Sequence, residues 1–439
     1  MTKFLFTILI LLSAASQARS QSGTLPVIHI DTDGGVPITS KTVYVGGSYW
    51  VESNGYELAE GFGTEEAPLR LEIRGRGHSS WSGEKKPYKL KLSEKTPLLG
   101  MPKNKHWALL KYFEPNTAGL LLGDAFGMAW TAHQHPVEVV LNGNYIGLYE
   151  LTETNRISSN RLDIWEQPNN NDDPSTVDGG WLIEVDNYYE STQVSVKDNG
   201  LTMRVTYHSP DELTALQSNW LKTNMQTLCD AIYDKSQGRW QDMLDVESIA
   251  KYFIISEIMD NPDAFHGSFY LHRDLGIDTK WVAGPLWDLT CLMREKTDYT
   301  FRMKASYSFT PHLIKGLISD PEFCAAVHKA WGEFYPEVAE AWIQDVKSRF
   351  FYNDALMLEY DRWTYSNHLT QQERVENLCM WIEGNMAWFD KNLPGDSAGI
   401  MDAVIDRDED GIMYDLSGRR VSDGYKGFYI KNGKKYFSR

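Results

Sequence analysis

The chain has 439 residues, of which 42% are hydrophobic and 13% aromatic, and its formal net charge is −17. This length and composition exclude a disordered protein and predict a large core in more than one structural unit. The 60 acidic residues outnumber the 43 basic ones, so nucleic acid is an unfavourable partner whose phosphate backbone would be repelled. A divalent metal that bridges an anion to the protein is compatible with this charge.

The first twenty residues predict an export signal rather than a part of the fold. Lys3 precedes the apolar run 4–15, and small residues around Ser20 form a cleavage pattern. The run is too short to span a bilayer, and no later stretch approaches 18 consecutive apolar residues. We therefore expect a protein without a transmembrane segment that is secreted or held at the cell surface.

Residues 26–92 predict β-strands, because apolar and polar positions alternate in several short segments. In the lysine-rich segment 85–92, Lys89 and Lys91 fall on the face opposite to the apolar side chains. The clearest hairpin is 135–154, where an Asn-Gly turn separates two apolar runs. The first part of the mature chain is therefore expected to be rich in β-structure.

After about residue 210 the apolar period changes to that of amphipathic helices, with Ser209 and Asp211 as candidate N-caps. Further elements are expected in this order: a helix at 245–260, a strand pair at 268–274 and 280–288, and helices to about 393. Residues 396–439 predict a small β module. The four cysteines lack the CxxC spacing of zinc sites and leave disulfides and buried thiols equally open.

Two glycines and two serines precede the lysine-rich strand, at Gly75, Gly77, Ser79 and Ser80. Glycine lets the backbone approach a ligand closely, serine hydroxyls donate hydrogen bonds, and lysines neutralise phosphate charge. The same residues also fit a plain turn followed by a solvated strand, because a lone Gly-x-Gly is a weak signal. Taken alone, this segment favours the turn over a phosphate site.

Acidic side chains recur around the predicted strand pair. Asp260, Asn261 and Asp263 crowd the loop that precedes it, and Asp288 follows it. A base-bearing loop, a strand pair and a metal-binding aspartate, in this order, suit magnesium-dependent phosphoryl transfer. The loop sequence Asn-Pro-Asp is equally consistent with a helix stop and turn. The combination is more specific than either of its parts.

Two other patterns point to different chemistry. Residues 406–417 begin like a calcium loop, but Ser417 stands where the bidentate glutamate is required. Glu184 and Asp186 form a carboxylate pair of the kind that glycosidases use, although the sequence does not determine the separation that would test it. Both patterns are weaker than the acidic loops around the strand pair.

Taken together, the ordered motifs resemble the CotH kinase family, from about residue 26 to residue 393. The segments that carry the resemblance are LEIRGRGHSSWSGEKKPYKLKL, LLGMPKNKHWALL, VEVVLNGNYIGLYELTETNRISSNRLDI, GGWLIEVDN, NPDAFHGSFYLHRD and GPLWDLTC. The resemblance implies an α+β, two-lobed, protein-kinase-like domain over 21–395. Its β-rich lobe would cover about 26–186 and its helical lobe about 187–395, with ATP and Mg²⁺ or Mn²⁺ between them.

The same resemblance implies roles for individual residues. Asp263 would be the catalytic acid, and Asp288 and Asn261 would bind the metal. The nucleotide and its phosphates would be contacted by Arg76, Gly77, His78, Ser79, Lys86 and Lys91, with Glu153 orienting the lysine. Two positions depart from the family pattern: His78 replaces a usual Asn, and Thr290 stands where a second Asp is frequent.

The tail resembles the C-terminal sorting modules of exported Bacteroidetes proteins, through YDLSGRRV and KGFYIKNGKK. That resemblance implies export through outer-membrane secretion machinery. The leading prediction is a secreted kinase that moves the γ-phosphoryl group of ATP to Ser or Thr of a surface protein. The alternative, favoured by Thr290 and by the scarcity of ATP outside cells, is a non-catalytic adhesin or coat-assembly partner on the same scaffold.

Overall fold

The computed structural model describes residues 23–56, 62–293 and 312–395, together with four short strands of the tail. Residues up to Lys391 form one compact unit, and residues 392–439 form a second. The export signal predicted at residues 1–20 lies outside the described residues. No helix in the described part of the chain is long and apolar enough to cross a membrane.

Seven strands of the first unit close into a barrel. They are β1 (Val27–Thr32), β2 (Val45–Glu52), β3 (Leu69–Gly75), β4 (Tyr88–Leu98), β5 (Met101–Lys111), β6 (Gln134–Leu141) and β7 (Asn144–Glu153). The order is β1-β2-β3-β4-β5-β7-β6, and β6 closes the barrel by pairing in parallel with β1, which leaves no open sheet edge. As predicted, Tyr88, Leu90 and Leu92 point into the core, whereas Lys89 and Lys91 lie on the outer face.

The predicted hairpin is confirmed as β6 and β7. Its turn residues Asn142 and Gly143 both have positive φ, 50° and 72°, which the Asn-Gly sequence tolerates well. A second sheet contains, in the described residues, β8 (Trp181–Val185), β9 (Gln193–Asp198), β10 (Leu201–Ser209), β11 (Phe269–Arg273) and β12 (Val282–Ala283). Its order is β12-β11-β8-β10-β9, so the fully buried β8 lies at the centre.

Helices surround these sheets. The described helices are α1 (Ser79–Ser82), α2 (Glu114–Ala125), α3 (Ala215–Tyr233), α4 (Val246–Ile258), α5 (Ile314–Leu317), α6 (Pro321–Phe334), α7 (Glu337–Arg349), α8 (Asn353–Arg362) and α9 (Gln371–Asp390). Helix α4 begins after its N-cap Asp245, close to the prediction. Helix α3 begins later than Ser209 and Asp211 indicated, because Thr214 and Gln217 form a capping box and β10 runs through Ser209.

The predicted two-lobed, protein-kinase-like fold is wrong, because the strands form a closed barrel and a separate sheet. The expected boundary between a β-rich part at 26–186 and a helical part at 187–395 would cut the second sheet between β8 and β9. Local periodicity identifies strands but carries no information on which distant strands pair. The β1–β6 pair and the β8–β11 pair both join segments far apart in sequence.

The tail and the cysteines complete the fold. Strands β13 (Met413–Asp415), β14 (Arg420–Val421), β15 (Gly427–Lys431) and β16 (Lys434–Ser438) pair antiparallel in the order β14-β13-β15-β16. Most of the calcium-like loop 406–417 lies outside the described residues. All four cysteines are buried free thiols, so the described residues contain no disulfide.

Candidate active site

The structure brings the two predicted aspartates together. Asp263 lies in the loop between α4 and β11, and Asp288 follows β12. Burial raises the pKa of Asp263, and the charge of Asp288 raises it further, so the two carboxylates are in electrostatic range. Asn261 connects the two segments: its Oδ1 accepts from the Asp263 backbone N–H at 3.4 Å and from Thr290 Oγ1 at 3.3 Å. Asn261 therefore positions both acids.

The backbone at Asp288 is held in a strained conformation. Its φ of 55° lies in the left-handed region, which costs a non-glycine residue about 1–3 kcal/mol. The neighbouring Leu289 N–H donates to Asn116 Oδ1 at 3.0 Å, which helps to fix this turn. Burial of the carboxyl group raises the pKa of Asp288, the charge of Arg76 lowers it, and the charge of Glu184 raises it. The turn thus presents a carboxylate between a cation and another acid.

Glu184 of β8 adds a third carboxylate to this place. Its Oε2 lies 2.7 Å from His208 Nε2, and the Tyr270 hydroxyl is hydrogen-bonded to the same carboxylate. Burial and the charge of Glu184 together raise the pKa of Asp186. The pair Glu184 and Asp186, which the sequence offered as a glycosidase pattern, is therefore part of the same acidic group as Asp288. We call Glu184, Asp186, Asp263 and Asp288 the acidic cluster.

Arg76 is the cation that faces the acidic cluster. Its half-buried guanidinium lies 5.2 Å from the centre of the Trp287 ring. Burial lowers the pKa of Arg76, and the nearby Asp288, Tyr270 and Glu184 oppose that effect. Because its described neighbours include two acids, Arg76 stabilises the acidic cluster and can also contact an anion bound there.

The loop that follows Arg76 is tied to the loop that follows β8. The His78 ring stacks on the Tyr188 ring with centroids 4.1 Å apart, and His78 Nε2 lies 3.1 Å from Glu190 Oε1. Gly77 has a φ of 81°, and a Cβ there would collide with Ser80, so glycine is needed for α1 to begin. Ser79 opens α1 with an exposed side chain, beside a loop that already has its own contacts.

Two of the predicted phosphate ligands have other partners. Lys86 Nζ donates to the Trp81 carbonyl at 2.7 Å and lies 5.1 Å from the centre of its ring. Lys91 Nζ lies 2.8 Å from Glu72 Oε2, and this pair is exposed on the outside of the barrel. The structure therefore does not bring Lys86 or Lys91 into contact with the acidic cluster.

Glu153, predicted to orient a lysine, is fully buried at the end of β7. Its Oε2 accepts from the His133 backbone N–H at 3.2 Å and lies 2.9 Å from His133 Nδ1. Arg161 Nε lies 3.6 Å from the other oxygen. The described partners of Glu153 are thus a histidine and an arginine, and Arg161 in turn donates to the Thr154 and His106 carbonyls.

The basic residues that reach the site are Lys89 and Arg156, neither of which was among the predicted phosphate ligands. They line a cavity of about 290 Å³ together with His208, the partner of Glu184, so the cavity adjoins the acidic cluster. Burial lowers the pKa of Lys89 to about 8, and Arg74, Arg156 and Arg76 lower it further. Several cations therefore converge here. We call this space the basic cavity.

A divalent metal fits these donors only together with a ligand. No group of three or more His, Cys, Asp or Glu side chains is arranged to hold a metal in the parts of the chain that the structure describes. Mg²⁺ and Mn²⁺ prefer oxygen donors, and Mg²⁺ is usually bound by one or two carboxylates plus substrate phosphates. Asp288 and Glu184, which are electrostatically coupled, provide such a pair.

Comparison with known proteins identifies the family of this chain. The sequence matches the family described as CotH kinase protein over residues 72–389. That span includes β4 with Lys89, β8 with Glu184 and both segments that carry Asp263 and Asp288. No curated protein matches the chain. Because the family match covers well over half of the sequence, the chain belongs to the CotH kinase family.

Proposed function

We propose that the protein is an atypical protein kinase that moves the γ-phosphoryl group of ATP to a Ser or Thr hydroxyl of a protein. One observation carries the proposal: the acidic cluster adjoins the basic cavity. Phosphoryl transfer is catalysed mainly by positioning and by charge, and it needs acids for a metal and cations for phosphates. Membership of the CotH kinase family supports the same class of reaction.

Lys89, Arg156 and Arg76 are the residues proposed to hold the phosphates. A pKa of about 8 keeps Lys89 mostly protonated at neutral pH, and a bound phosphate would raise that pKa. Arginine adds a planar fork of donors that matches phosphate oxygens. The cavity lining also includes the acids Glu166 and Asp211, so the preference for a polyphosphate over a sugar rests on the cations grouped around Lys89.

Asp288 and Glu184 are proposed to hold Mg²⁺ or Mn²⁺ through their carboxylate oxygens. Bound there, the metal would neutralise the charge of the phosphates. Thr290, which replaces a frequent aspartate, donates its hydroxyl to Asn261 and so serves to join the two loops. We propose that Glu184 of β8 provides the second metal-binding carboxylate in place of the aspartate that Thr290 replaces.

Asp263 is proposed to orient the acceptor hydroxyl and to take its proton. Its raised pKa makes it a stronger base than an ordinary aspartate, and nearly half of its side chain is exposed to an incoming substrate. The hydroxyl oxygen forms a bond to the γ-phosphorus as the bond to the bridging oxygen breaks. ADP leaves, and the hydroxyl proton passes to Asp263.

The test uses the full chain with γ-labelled ATP and Mn²⁺ or Mg²⁺. We expect label on the protein itself or on an added Ser-rich protein, and a nucleotide-dependent rise in Tm. Asp263→Asn should abolish transfer but keep the rise in Tm, whereas Asp288→Asn should weaken both. Asp361→Asn, an exposed acid of α8, is the matched control. If neither label nor a rise in Tm is found at millimolar nucleotide, the protein is better explained as a non-catalytic binding protein.

We also propose that the protein acts outside the cell, at a surface reached through outer-membrane secretion machinery. The support is sequence alone: the apolar run with its cleavage pattern in residues 1–20, and the sorting-like tail at 396–439. Fractionation of cells that produce the full chain, or chains lacking either segment, tests this. Retention of the full chain in the cytoplasm would contradict it.

A further inference from the structure

A second cavity, of about 160 Å³, lies between α2, the start of β6 and the segment that joins α7 to α8. None of the residues proposed to act in phosphoryl transfer lines it. Its apolar walls come from Leu120, Leu121, Phe350 and Phe351, and Phe351 is 64% exposed. The cavity is thus a small apolar space that opens beside an aromatic ring.

One wall of this cavity carries a buried acid, Glu150 of β7, which is 2% exposed. Its Oε1 accepts from the Tyr352 hydroxyl at 3.3 Å, which is a long hydrogen bond. Its Oε2 has no hydrogen-bond partner within the described ranges. A buried carboxyl oxygen without a hydrogen-bond partner is costly in either protonation state, so a ligand with a polar group that reaches it would be favoured.

The charges around the cavity favour a cationic donor. Asp124 lines its rim, and burial raises the pKa of that carboxyl too. Arg349 also lines it, but its guanidinium is bonded to Asp345 at 3.1 Å. Lys85, the cation whose charge reaches Glu150, is already held by Glu359.

The remaining titratable neighbours of the cavity either already have a hydrogen-bond partner or act on Glu150 only through their charge. His133 of the lining is paired with Glu153 at 2.9 Å, and His135 with the Pro136 carbonyl at 2.8 Å. Glu114 raises the pKa of Glu150 and so opposes its ionisation. Glu150 is therefore the group in this cavity that would gain most from a bound cation.

We propose that this cavity binds a small organic amine, whose ammonium group donates to Glu150 while its apolar body packs against Phe350 and Phe351. Aromatic faces attract cations, which adds to the apolar contact. Burial raises the pKa of Glu150 to about 8, so the free carboxyl is protonated at neutral pH. Binding therefore forms a carboxylate–ammonium pair and releases one proton from Glu150 to the solvent.

The test is calorimetric titration of the full chain with benzylamine at pH 7, with benzyl alcohol and benzoate as matched probes. We expect benzylamine alone to bind, with a heat that depends on the ionisation enthalpy of the buffer. Glu150→Gln should weaken binding at least tenfold and remove the buffer dependence. Phe351→Ala, at an exposed ring, should weaken binding severalfold and leave Tm unchanged, which keeps the test valid should the first variant fail to fold.

Several results would overturn the proposal: no benzylamine binding at millimolar concentration, equal binding of benzyl alcohol, or affinity unchanged in both variants. The readout does not involve nucleotide, so it is independent of phosphotransfer. Loss of kinase activity in Asp263→Asn with benzylamine binding retained would show that the two sites are separate.

Discussion

Lys85 and Lys89 lie four residues apart, and burial lowers the pKa of both to about 8, yet their surroundings differ. Lys85 is 6% exposed and donates to Glu359 Oε1 at 2.5 Å and to the Leu148 carbonyl, which joins α8 to the barrel. Its positive charge is thus neutralised by an ion pair within the fold. A buried lysine of this kind is structural.

Burial is also the main cause of the lowered pKa of Lys89, but its charged neighbours are different. Three arginines, Arg74, Arg76 and Arg156, add to the effect of burial, and the one acid that opposes them, Asp211, has a small influence. The Lys89 side chain has no hydrogen-bond or ion-pair partner among the described residues, although its backbone pairs with the neighbouring strands. Glu166 and Asp211 also line the cavity, but the mutually repelling cations around Lys89 would be stabilised by a bound anion. A lowered lysine pKa therefore identifies a binding site only when the partners are also known.

The largest effect expected from this contrast is on stability. Lys85→Met leaves the buried Glu359 carboxylate without its cation, although the Leu148 N–H and the Tyr365 hydroxyl still donate to it. The loss of the cation should lower the free energy of unfolding by about 3–5 kcal/mol. Urea unfolding of the variant measures this loss. The double variant Lys85→Met, Glu359→Gln should recover part of it. A loss below about 1 kcal/mol would mean that Lys85 is not structural.

The converse is expected for Lys89. Lys89→Met removes repulsion among cations and should change the free energy of unfolding by less than about 1 kcal/mol. It should weaken ATP binding about 10- to 100-fold, the value of one hydrogen bond to a charged group. Lys91→Met is the matched control, because that exposed lysine pairs with Glu72. Equal ATP affinities in the Lys89→Met and Lys91→Met variants would show that Lys89 does not bind ATP.

A smaller effect is expected on pH dependence. Phosphate binding raises the pKa of Lys89 above its free value of about 8, so the complex takes up a proton when it forms above that pH. ATP affinity should be constant below about pH 8 and should fall as pH rises through it. Lys89→Arg, which stays charged, should bind ATP at neutral pH and lose this fall. An unchanged pH profile in Lys89→Arg would assign the titration to another group.

The smallest effect concerns the link between the two acidic loops. Thr290→Val keeps the shape of the side chain and removes the hydrogen bond to Asn261, which should cost about 1 kcal/mol of stability. Phosphotransfer should slow severalfold, while ATP affinity stays the same, since Thr290 positions loops rather than phosphates. Steady-state kinetics separate these effects, and a loss of ATP affinity instead would make Thr290 part of the nucleotide site.

The acidic half of the site was predictable from the sequence because its information is local. Asp263 and Asp288 flank one strand pair, and their order along the chain is characteristic of phosphotransferases. The choice between Lys89 and Lys91 was not predictable, since both lie on the same outer face of β4. That choice depends on Arg156, which lines the basic cavity beside Lys89 but lies in a loop more than sixty residues later in the sequence.

The fold divides in the same way. The Asn142–Gly143 hairpin followed from turn chemistry, and the start of α4 from its cap. Barrel closure did not, because the pairing of β1 with β6 has no signature in either strand. Glu184 was visible as an acid in the sequence, but its place beside Asp288 depends on β8 and β11 becoming neighbours.

The most direct test of the site is a crystal structure of the full chain with a non-hydrolysable ATP analogue and Mn²⁺, recorded with anomalous scattering from the metal. We expect an anomalous peak for a metal ion bound by the carboxylates of Asp288 and Glu184, and phosphate oxygens within hydrogen-bonding distance of Lys89 Nζ. A nucleotide bound elsewhere, or one whose phosphates contact Lys91 and leave the basic cavity empty, would contradict it.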